Sequence, residues 1–186
     1  MTDLNILNNM IKDAAKVSLI DYYGKKQVKL EEPQSPDASV TIQGMPDNSI
    51  VIKADTFRSP DSVFKGTQGE CKRADFVIIA DVGNKKIIIY IEMKATKNSG
   101  KEIIQQLKGS QCFVAYCQTI GQSFWNAQNF LNGYEHRFVS IGHINIPKRK
   151  TRILRQTGVH DHPDRLLKID WPRYLQFNHL AGVNRQ

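Results

Sequence analysis

The sequence predicts an α/β fold in which a central mixed β-sheet is flanked by helices. Two long β-branched runs, residues 73–82 and 85–95, flank the turn dipeptide Gly83-Asn84. Both runs are apolar on both faces for most of their length, which is typical of central strands covered on each side. Segments with helical spacing precede and follow these strands, so helices and strands alternate along the chain.

The first third of the chain predicts one helix, two strands and two loops. Residues 3–23 carry apolar side chains at helical spacing after a capping Thr2 or Asp3 and predict a helix. Residues 24–36, with two charged pairs and two prolines, predict a loop. Short β-rich runs at 39–43 and 50–53 surround a Gly-Met-Pro-Asp-Asn turn and predict a hairpin. Residues 56–69 predict a surface loop, because a proline and two glycines interrupt them.

After the second long strand, Ser99-Gly-Lys-Glu102 forms a capping box that predicts a helix over residues 100–118. A second helical stretch near 123–131 and a strand at 137–146 follow. From Pro147 onward the pattern is basic and irregular, with one short strand or helix within 168–177. The sequence therefore predicts the order helix, three strands, helix, strand, with a nuclease-like core at residues 1–146. We expect residues 147–186 to form a basic extension packed on the same domain.

Composition narrows the class of protein. With 186 residues and 40% hydrophobic content, the chain is long enough for one domain with a sizeable core. Its longest apolar runs have five residues, whereas a membrane-spanning helix needs roughly 20. The N-terminus lacks the pattern of a secretory signal, so we expect a cytoplasmic protein with no membrane partner. Three cysteines without a Cys-x-x-Cys motif indicate reduced thiols, and a zinc site that adds His160 and His162 lacks recognised spacing.

The charge balance favours a polyanionic partner. The chain has 26 Lys and Arg against 18 Asp and Glu, for a net charge of +8. Residues 139–186 hold nine basic and three acidic residues, so most of the excess lies in the last quarter. Such a field favours nucleic acid, although a basic surface that serves only solubility fits equally well. The candidates for phosphate contacts are Lys148, Arg149, Lys150, Arg152 and Arg155.

Two carboxylates and one lysine converge at the end of the predicted hairpin. A two-residue turn at Gly83-Asn84 pairs positions that sum to 167, so Asp75 faces Glu92 directly. Lys94, two residues beyond Glu92, lies on the same face of its strand. A turn of another length would shift the register and separate these groups.

Charged groups at the end of buried strands cost folding free energy, so we interpret this cluster as a catalytic site. Paired carboxylates can hold one or two Mg²⁺ ions, with Mn²⁺ as a substitute. The metal polarises a phosphoryl oxygen and makes bound water more acidic, and a lysine can position that water and stabilise charge on phosphorus. A surface cluster of ion pairs is the competing interpretation. Acidic-x-Lys also occurs at Glu70-Cys-Lys72, but no strand precedes that copy.

These residues resemble the core of the PD-(D/E)XK nuclease superfamily, which has a restriction-endonuclease-like fold. The resemblance rests on GECKRADFVIIADVGNKKIIIYIEMKAT and the following IIQQLKGS, and it covers about residues 1–146. It implies that Asp75 and Glu92 are metal ligands and that Lys94 is the catalytic lysine. Gln106, on the following helix, matches the position from which such nucleases often supply a supporting polar residue.

The match to this superfamily is incomplete in three places. Arg73-Ala74 stands where the motif name has proline, and the Gln-x-x-x-Tyr motif of one subgroup is absent. The glutamate of the family's first helix has no clear counterpart, although Asp13 or Asp21 could serve. Glu70 is either an additional ligand or, as we favour, a solvated loop acid.

The resemblance implies a Mg²⁺-dependent endonuclease that hydrolyses phosphodiester bonds, with DNA favoured over RNA. The alternative is a non-catalytic nucleic-acid-binding module that retains the nuclease fold; an unrelated interaction domain is a third class. Small nucleases that cut both strands often form homodimers, and at the level of the family we expect a role in phage defence or mobile-element biology.

Overall fold

The computed structural model describes residues 1–32, 35–83, 85–94, 99–142 and 159–182. They form a mixed α/β fold with two mixed sheets and three α-helices. No helix in this part of the chain is long and apolar enough to cross a membrane. The cationic cluster at residues 148–155, predicted to contact phosphate, lies outside the described residues.

The helices and strands fall in the following order along the chain: α1 (Asp3–Met10), β1 (Ile20–Tyr22), β2 (Lys25–Glu32), β3 (Ser35–Met45), β4 (Ser49–Lys53), β5 (Phe76–Val82), β6 (Lys85–Lys94), α2 (Gly100–Phe124), β7 (Glu135–Gly142), β8 (Leu167–Asp170), β9 (Tyr174–Gln176) and α3 (Phe177–Ala181). The five-stranded sheet has the order β4-β5-β6-β7-β8, and the four-stranded sheet has the order β1-β2-β3-β9.

The five-stranded sheet contains the predicted hairpin in the predicted register. β5 and β6 are antiparallel and pair Phe76 with Ile91 and Val82 with Lys85. β6 then runs parallel to β7, and α2 makes the crossover between them. Both central strands are buried over nearly their whole length, as their apolar composition predicts.

The two faces of this sheet are covered differently. One face packs against α1 and α2, with Leu7 and Leu107 among the fully buried contacts. The other face packs against the four-stranded sheet, where Val28, Leu30 and Ile42 are inaccessible to solvent. The predicted flanking helices therefore include α1 and α2 on one face, whereas the four-stranded sheet and the short α3 cover the other.

The structure also corrects five predicted elements. The first helix ends at Met10 rather than near residue 23, and the predicted loop at 24–36 contains β2 and the start of β3. The β-rich runs at 39–43 and 50–53 do not form a hairpin, because β3 pairs with β2 and β9 whereas β4 pairs with β5. The helix at 100–118 continues to Phe124, and turns follow it instead of a second helix.

The described part of the C-terminal region is regular rather than irregular. β8 joins the five-stranded sheet alongside β7, and β9 joins the four-stranded sheet alongside β3. α3 follows β9 directly and buries Phe177 and Leu180 between the sheets. This short segment therefore completes both sheets.

Candidate active site

The structure brings Asp75, Glu92 and Lys94 together at one end of the β5–β6 hairpin. Asp75 immediately precedes β5, and its Oδ2 accepts a hydrogen bond of 2.7 Å from the backbone amide of Met93. The Lys94 Nζ lies 2.9 Å from Oε1 of Glu92. The contact across the hairpin follows from the two-residue turn, which places position 75 opposite position 92.

Glu92 is the most unusual of the three residues, because its carboxylate is fully buried and poorly partnered. The residue has no solvent exposure. By strict geometry neither of its oxygens has a hydrogen-bond partner among the described residues, but the Lys94 ammonium lies 2.9 Å from Oε1, and both this ammonium and the Asp75 backbone amide act to lower its pKa. A buried carboxylate in this state is costly, and the cost falls when a cation or a proton occupies the open oxygen.

Burial perturbs both carboxyl groups, and repulsion by Asp75 adds to the effect on Glu92. Loss of hydration raises the pKa of Asp75 to about 7, against the opposing effects of the Met93 amide and the Lys94 charge. Loss of hydration, assisted by the charge of Asp75, raises the pKa of Glu92 to about 8. Near neutral pH the pair therefore holds a proton that a bound cation would displace.

Lys94 retains its positive charge in this setting. Burial acts to lower the pKa of Lys94, but the negative charges of Glu92, Asp75 and Glu32 outweigh it, so the pKa is raised overall. Its side chain is only 15% exposed, and it ends β6. The ammonium is therefore a permanent positive charge beside the carboxylate pair.

Two further acids, which the sequence analysis did not identify, lie close enough to affect Asp75. The charges of Asp55 and Glu32 both raise the pKa of Asp75. Glu32 is 3% exposed at the end of β2, and Asp55 lies just beyond β4. Both line a cavity of about 360 Å³, and Phe76, the residue after Asp75, lines it as well. Because Glu32 comes from the four-stranded sheet, only a correct prediction of that sheet could have identified it.

The second helix presents a polar face to the segment before β5. Ser110 is fully buried, and its Oγ accepts a hydrogen bond of 2.8 Å from the amide of Ala74. Gln106 lies one turn earlier on the same face of α2. Its Oε1 is buried and has no hydrogen-bond partner among the described residues. Gln106 therefore remains a predicted supporting residue with an open acceptor.

The other candidate acids have structural environments of their own. The Glu70 carboxylate accepts hydrogen bonds from the amides of Gly66 and Gln68, and such bonds from its own loop lower its pKa. This geometry favours the loop-acid interpretation. Asp13 is fully exposed and pairs with Lys16, and Asp21 accepts a hydrogen bond from a turn amide, so neither supplies the first-helix glutamate.

No group of three or more His, Cys, Asp or Glu side chains is arranged as a metal site within the described ranges. The zinc alternative gains no support, since the His160 Nε2 lies 2.7 Å from the Leu180 carbonyl oxygen and the His162 Nδ1 accepts a hydrogen bond from the Asp164 amide. A divalent cation at the Asp75–Glu92 pair would take two protein ligands and complete its shell with water, as Mg²⁺ commonly does.

Comparisons with known proteins identify no relative. No protein-family model, no curated protein and no solved structure matches the chain.

Proposed function

We propose that the protein is a Mg²⁺-dependent endonuclease with a restriction-endonuclease-like core. The observation that carries the proposal is the fully buried Glu92 carboxylate, with an open oxygen, beside Asp75 and the Lys94 ammonium. A site that needs only stability would be better served by apolar side chains in this position. With the inserted strands β1, β2 and β3 set aside, the order α1, β4, β5, β6, α2, β7 agrees with that of the PD-(D/E)XK core and supports the finer fold assignment.

Each residue of the site has a role that its surroundings suit. Asp75 and Glu92 would hold the cation, and the Met93 amide fixes the orientation of the Asp75 carboxylate. When bound, Mg²⁺ supplies the charge that polarises a phosphoryl oxygen and increases the acidity of water. Lys94 keeps its proton near neutral pH, so it would orient the attacking water and stabilise the negative charge that develops on the phosphate.

Gln106 and the net charge complete the proposal. The open Oε1 of Gln106 suits it to accept a hydrogen bond from water or substrate beside the site. The net charge of +8 favours binding of the phosphate backbone, with DNA as the preferred substrate.

The decisive experiment is cleavage of a mixed pool of plasmid, linear duplex, single-stranded DNA and structured RNA in the presence of Mg²⁺. We expect wild type to cleave at least one substrate and Lys94→Ala to cleave none. Lys85→Ala is the matched control, because Lys85 lies at the opposite end of the same strand and should leave cleavage unchanged.

Two outcomes would contradict the nuclease assignment. Cleavage by Lys94→Ala at the wild-type rate would show that Lys94 has no role in the mechanism. Full metal-dependent cleavage by Glu92→Ala would show that Glu92 is not a required metal ligand. Binding without cleavage by wild type would favour the alternative, a nucleic-acid-binding module that retains the nuclease fold.

A further inference from the structure

The hairpin between β1 and β2 holds a tyrosine in a strained conformation at its tip. Tyr22 pairs with Lys25, so Tyr23 and Gly24 form a two-residue turn. Both have positive φ, 51° for Tyr23 and 72° for Gly24, which is the pattern of a type I′ turn. Asparagine, aspartate and glycine favour the first of these positions, whereas a bulky ring there is strained. The side chain of Tyr23 is nevertheless 89% exposed, so burial in the core does not offset this strain.

The two tyrosines form one wall of a cavity. Their ring centroids lie 4.6 Å apart in an edge-to-face arrangement. The cavity has a volume of about 340 Å³. It is lined by Tyr22, Tyr23, Lys25, Lys26, Gln27 and Gln43. Aromatic rings, amides and ammonium groups in one cavity are the three kinds of group that bind a base, its polar edge and its phosphate.

A row of glutamine amides extends from this cavity across the four-stranded sheet. Gln27 pairs with Gln43, and Gln43 pairs with Gln176. A bulge at Gly44, whose φ is +69°, sets this alignment, because Lys26 already pairs with Met45. The Gln176 Nε2 donates a hydrogen bond of 3.0 Å to Oε1 of Gln43. This bond orients the Gln43 amide so that its own N–H groups can donate to a ligand.

The charges at the cavity fit an anionic ligand. Lys25 is exposed at the end of β2, and Lys26 makes one ion pair, of 3.3 Å, with the largely exposed Asp47. A surface ion pair of this kind contributes little and yields readily to a competing phosphate. The chain as a whole carries +8, so the surrounding field also attracts a polyanion.

We propose that this cavity binds an unpaired nucleobase, so that the four-stranded sheet selects single-stranded nucleic acid for the nuclease site. The Tyr23 ring stacks on the base and the perpendicular Tyr22 ring supports it, Gln43 donates to the edge of the base, and Lys25 contacts the adjoining phosphate. The inference rests on the nucleic-acid-binding part of the proposed function and adds the substrate class.

The position of the cavity relative to the carboxylate site sets the length of strand required. β2 runs from Lys25 at the cavity to Glu32 at the site, seven residues later. At roughly 3.3 Å per residue this path is about 23 Å. A single strand stacked at the duplex spacing of about 3.4 Å per nucleotide needs about seven nucleotides to span this path, and an extended strand needs fewer.

The test is the substitution Tyr23→Asn, with binding measured by fluorescence anisotropy in the presence of EDTA. The probes are a labelled single strand of about 15 nucleotides and a blunt duplex of the same sequence. We expect the affinity for the single strand to fall about 5- to 100-fold, the range for loss of one stacked base. We expect the duplex affinity to change less than threefold.

Asparagine suits the left-handed position, so the same variant should melt at a higher temperature than wild type. If the variant binds the single strand more weakly and is also more stable, the lower affinity results from loss of a contact and not from unfolding. Phe124→Asn is the matched control, because Phe124 is 78% exposed at the end of α2, and this variant should bind like wild type. If Tyr23→Asn melts lower instead, Tyr22→Leu, which keeps an apolar side chain in β1, provides the second measurement.

The inference is overturned if both tyrosine variants bind the single strand as tightly as wild type, or if they lose equal affinity for the duplex. A wild type that binds the single strand through Tyr23 but cleaves nothing would support the inference and overturn the nuclease. A wild type that binds neither probe would overturn both.

Discussion

Glu92 shows at the scale of one residue how a buried charge indicates function. Its neighbours along β6 are apolar and buried, and Lys94 supplies the one cation within ion-pair distance in the described chain. A neutral side chain of the same shape would avoid the cost of removing a carboxylate from water. The difference between these two side chains can be measured as a function of pH.

We predict that Glu92→Gln stabilises the metal-free protein increasingly as pH rises. In wild type the pKa of Glu92 is raised by burial, so the folded state binds its proton more tightly than the unfolded state. Stability from this group is fully present below about pH 4.5, its unfolded pKa, and is lost as pH rises toward about 8. The difference in unfolding free energy between the variant and wild type should therefore grow over this window, by about 1.4 kcal/mol per pH unit at most.

Chemical denaturation in EDTA at a series of pH values measures this difference. Because titrating groups away from the site are shared, the comparison reports Glu92 together with Asp75 and Lys94, the groups with which it interacts. A difference that does not change with pH would show that the Glu92 carboxyl titrates normally.

We predict that Mg²⁺ raises the melting temperature of wild type more at pH 8.5 than at pH 6, two values chosen about a unit on either side of the raised carboxyl pKa values. At the lower pH the cation must displace a proton from the carboxyl pair, whereas at the higher pH the site is already ionised. Melting curves with and without Mg²⁺ test this, and Glu92→Gln is the control that should lose the shift. If Mg²⁺ raised the melting temperature of Glu92→Gln as much as that of wild type, the cation would bind elsewhere.

The residues of the site differ in how far the sequence could predict them. The sequence predicts the proximity of Asp75, Glu92 and Lys94. The two-residue turn sets the register of the hairpin, and side chains two residues apart on a strand lie on the same face. Glu32 and Asp55 could not be found in this way. Glu32 reaches the site through the packing of the two sheets, and Asp55 reaches it through the pairing of β4 with β5. A local pattern carries no information about either contact.

At the scale of elements, β2 shows why the four-stranded sheet was not predicted. Its sequence, KKQVKLEE, is dominated by charges, which favour a loop when they are read together. Only Val28, Leu30 and Glu32 point inward and are buried, and the last of these is itself an acid. A half-buried strand whose third inward position is charged does not display the alternation on which prediction depends.

The first helix was predicted too long for a related reason. The helical spacing continues past Met10, but the chain turns to pair with the first sheet instead. The Val17 amide donates to the Val51 carbonyl at 2.9 Å, and Lys16 bridges Ile52. Tertiary hydrogen bonds at the edge of β4 thus override a local preference for helix.

We predict that Gly109→Ala destabilises the protein by about 1–3 kcal/mol and lowers nuclease activity more than this loss of stability explains. A Cβ at Gly109 would lie 1.7 Å from the Lys72 carbonyl oxygen, so α2 must move away from the segment that carries Asp75. Gly100→Ala is the matched control, because no atom of the described residues lies within 4 Å of a Cβ there. Thermal melting and cleavage rates measure the two effects, and equal behaviour of the two variants would contradict the prediction.

At the scale of the whole molecule, the five-stranded sheet is shared between two apolar layers. One layer joins it to α1 and α2, and the other joins it to the four-stranded sheet and α3. Each layer is incomplete without the sheet between them, so we expect the layers to unfold together.

We predict that Phe177→Ala costs about 3–5 kcal/mol and leaves a single unfolding transition. Phe177 is fully buried in the layer between the sheets. Trp125 packs against the helical layer and Trp171 against the other, so single-tryptophan variants report the layers separately. Coincident fluorescence transitions in denaturant are expected, and two separated midpoints would show that the layers are independent.

The pairing of β3 with β9 has a consequence for synthesis on the ribosome. Thr41 pairs with Tyr174, 133 positions later in the chain. At about 5–20 residues per second, the edge of β3 waits on the order of 10 s for its partner. During that interval its backbone amides and carbonyls are open to other nascent chains. Polysomes that carry this message should therefore depend on a chaperone that shields an exposed strand edge until translation has passed Tyr174.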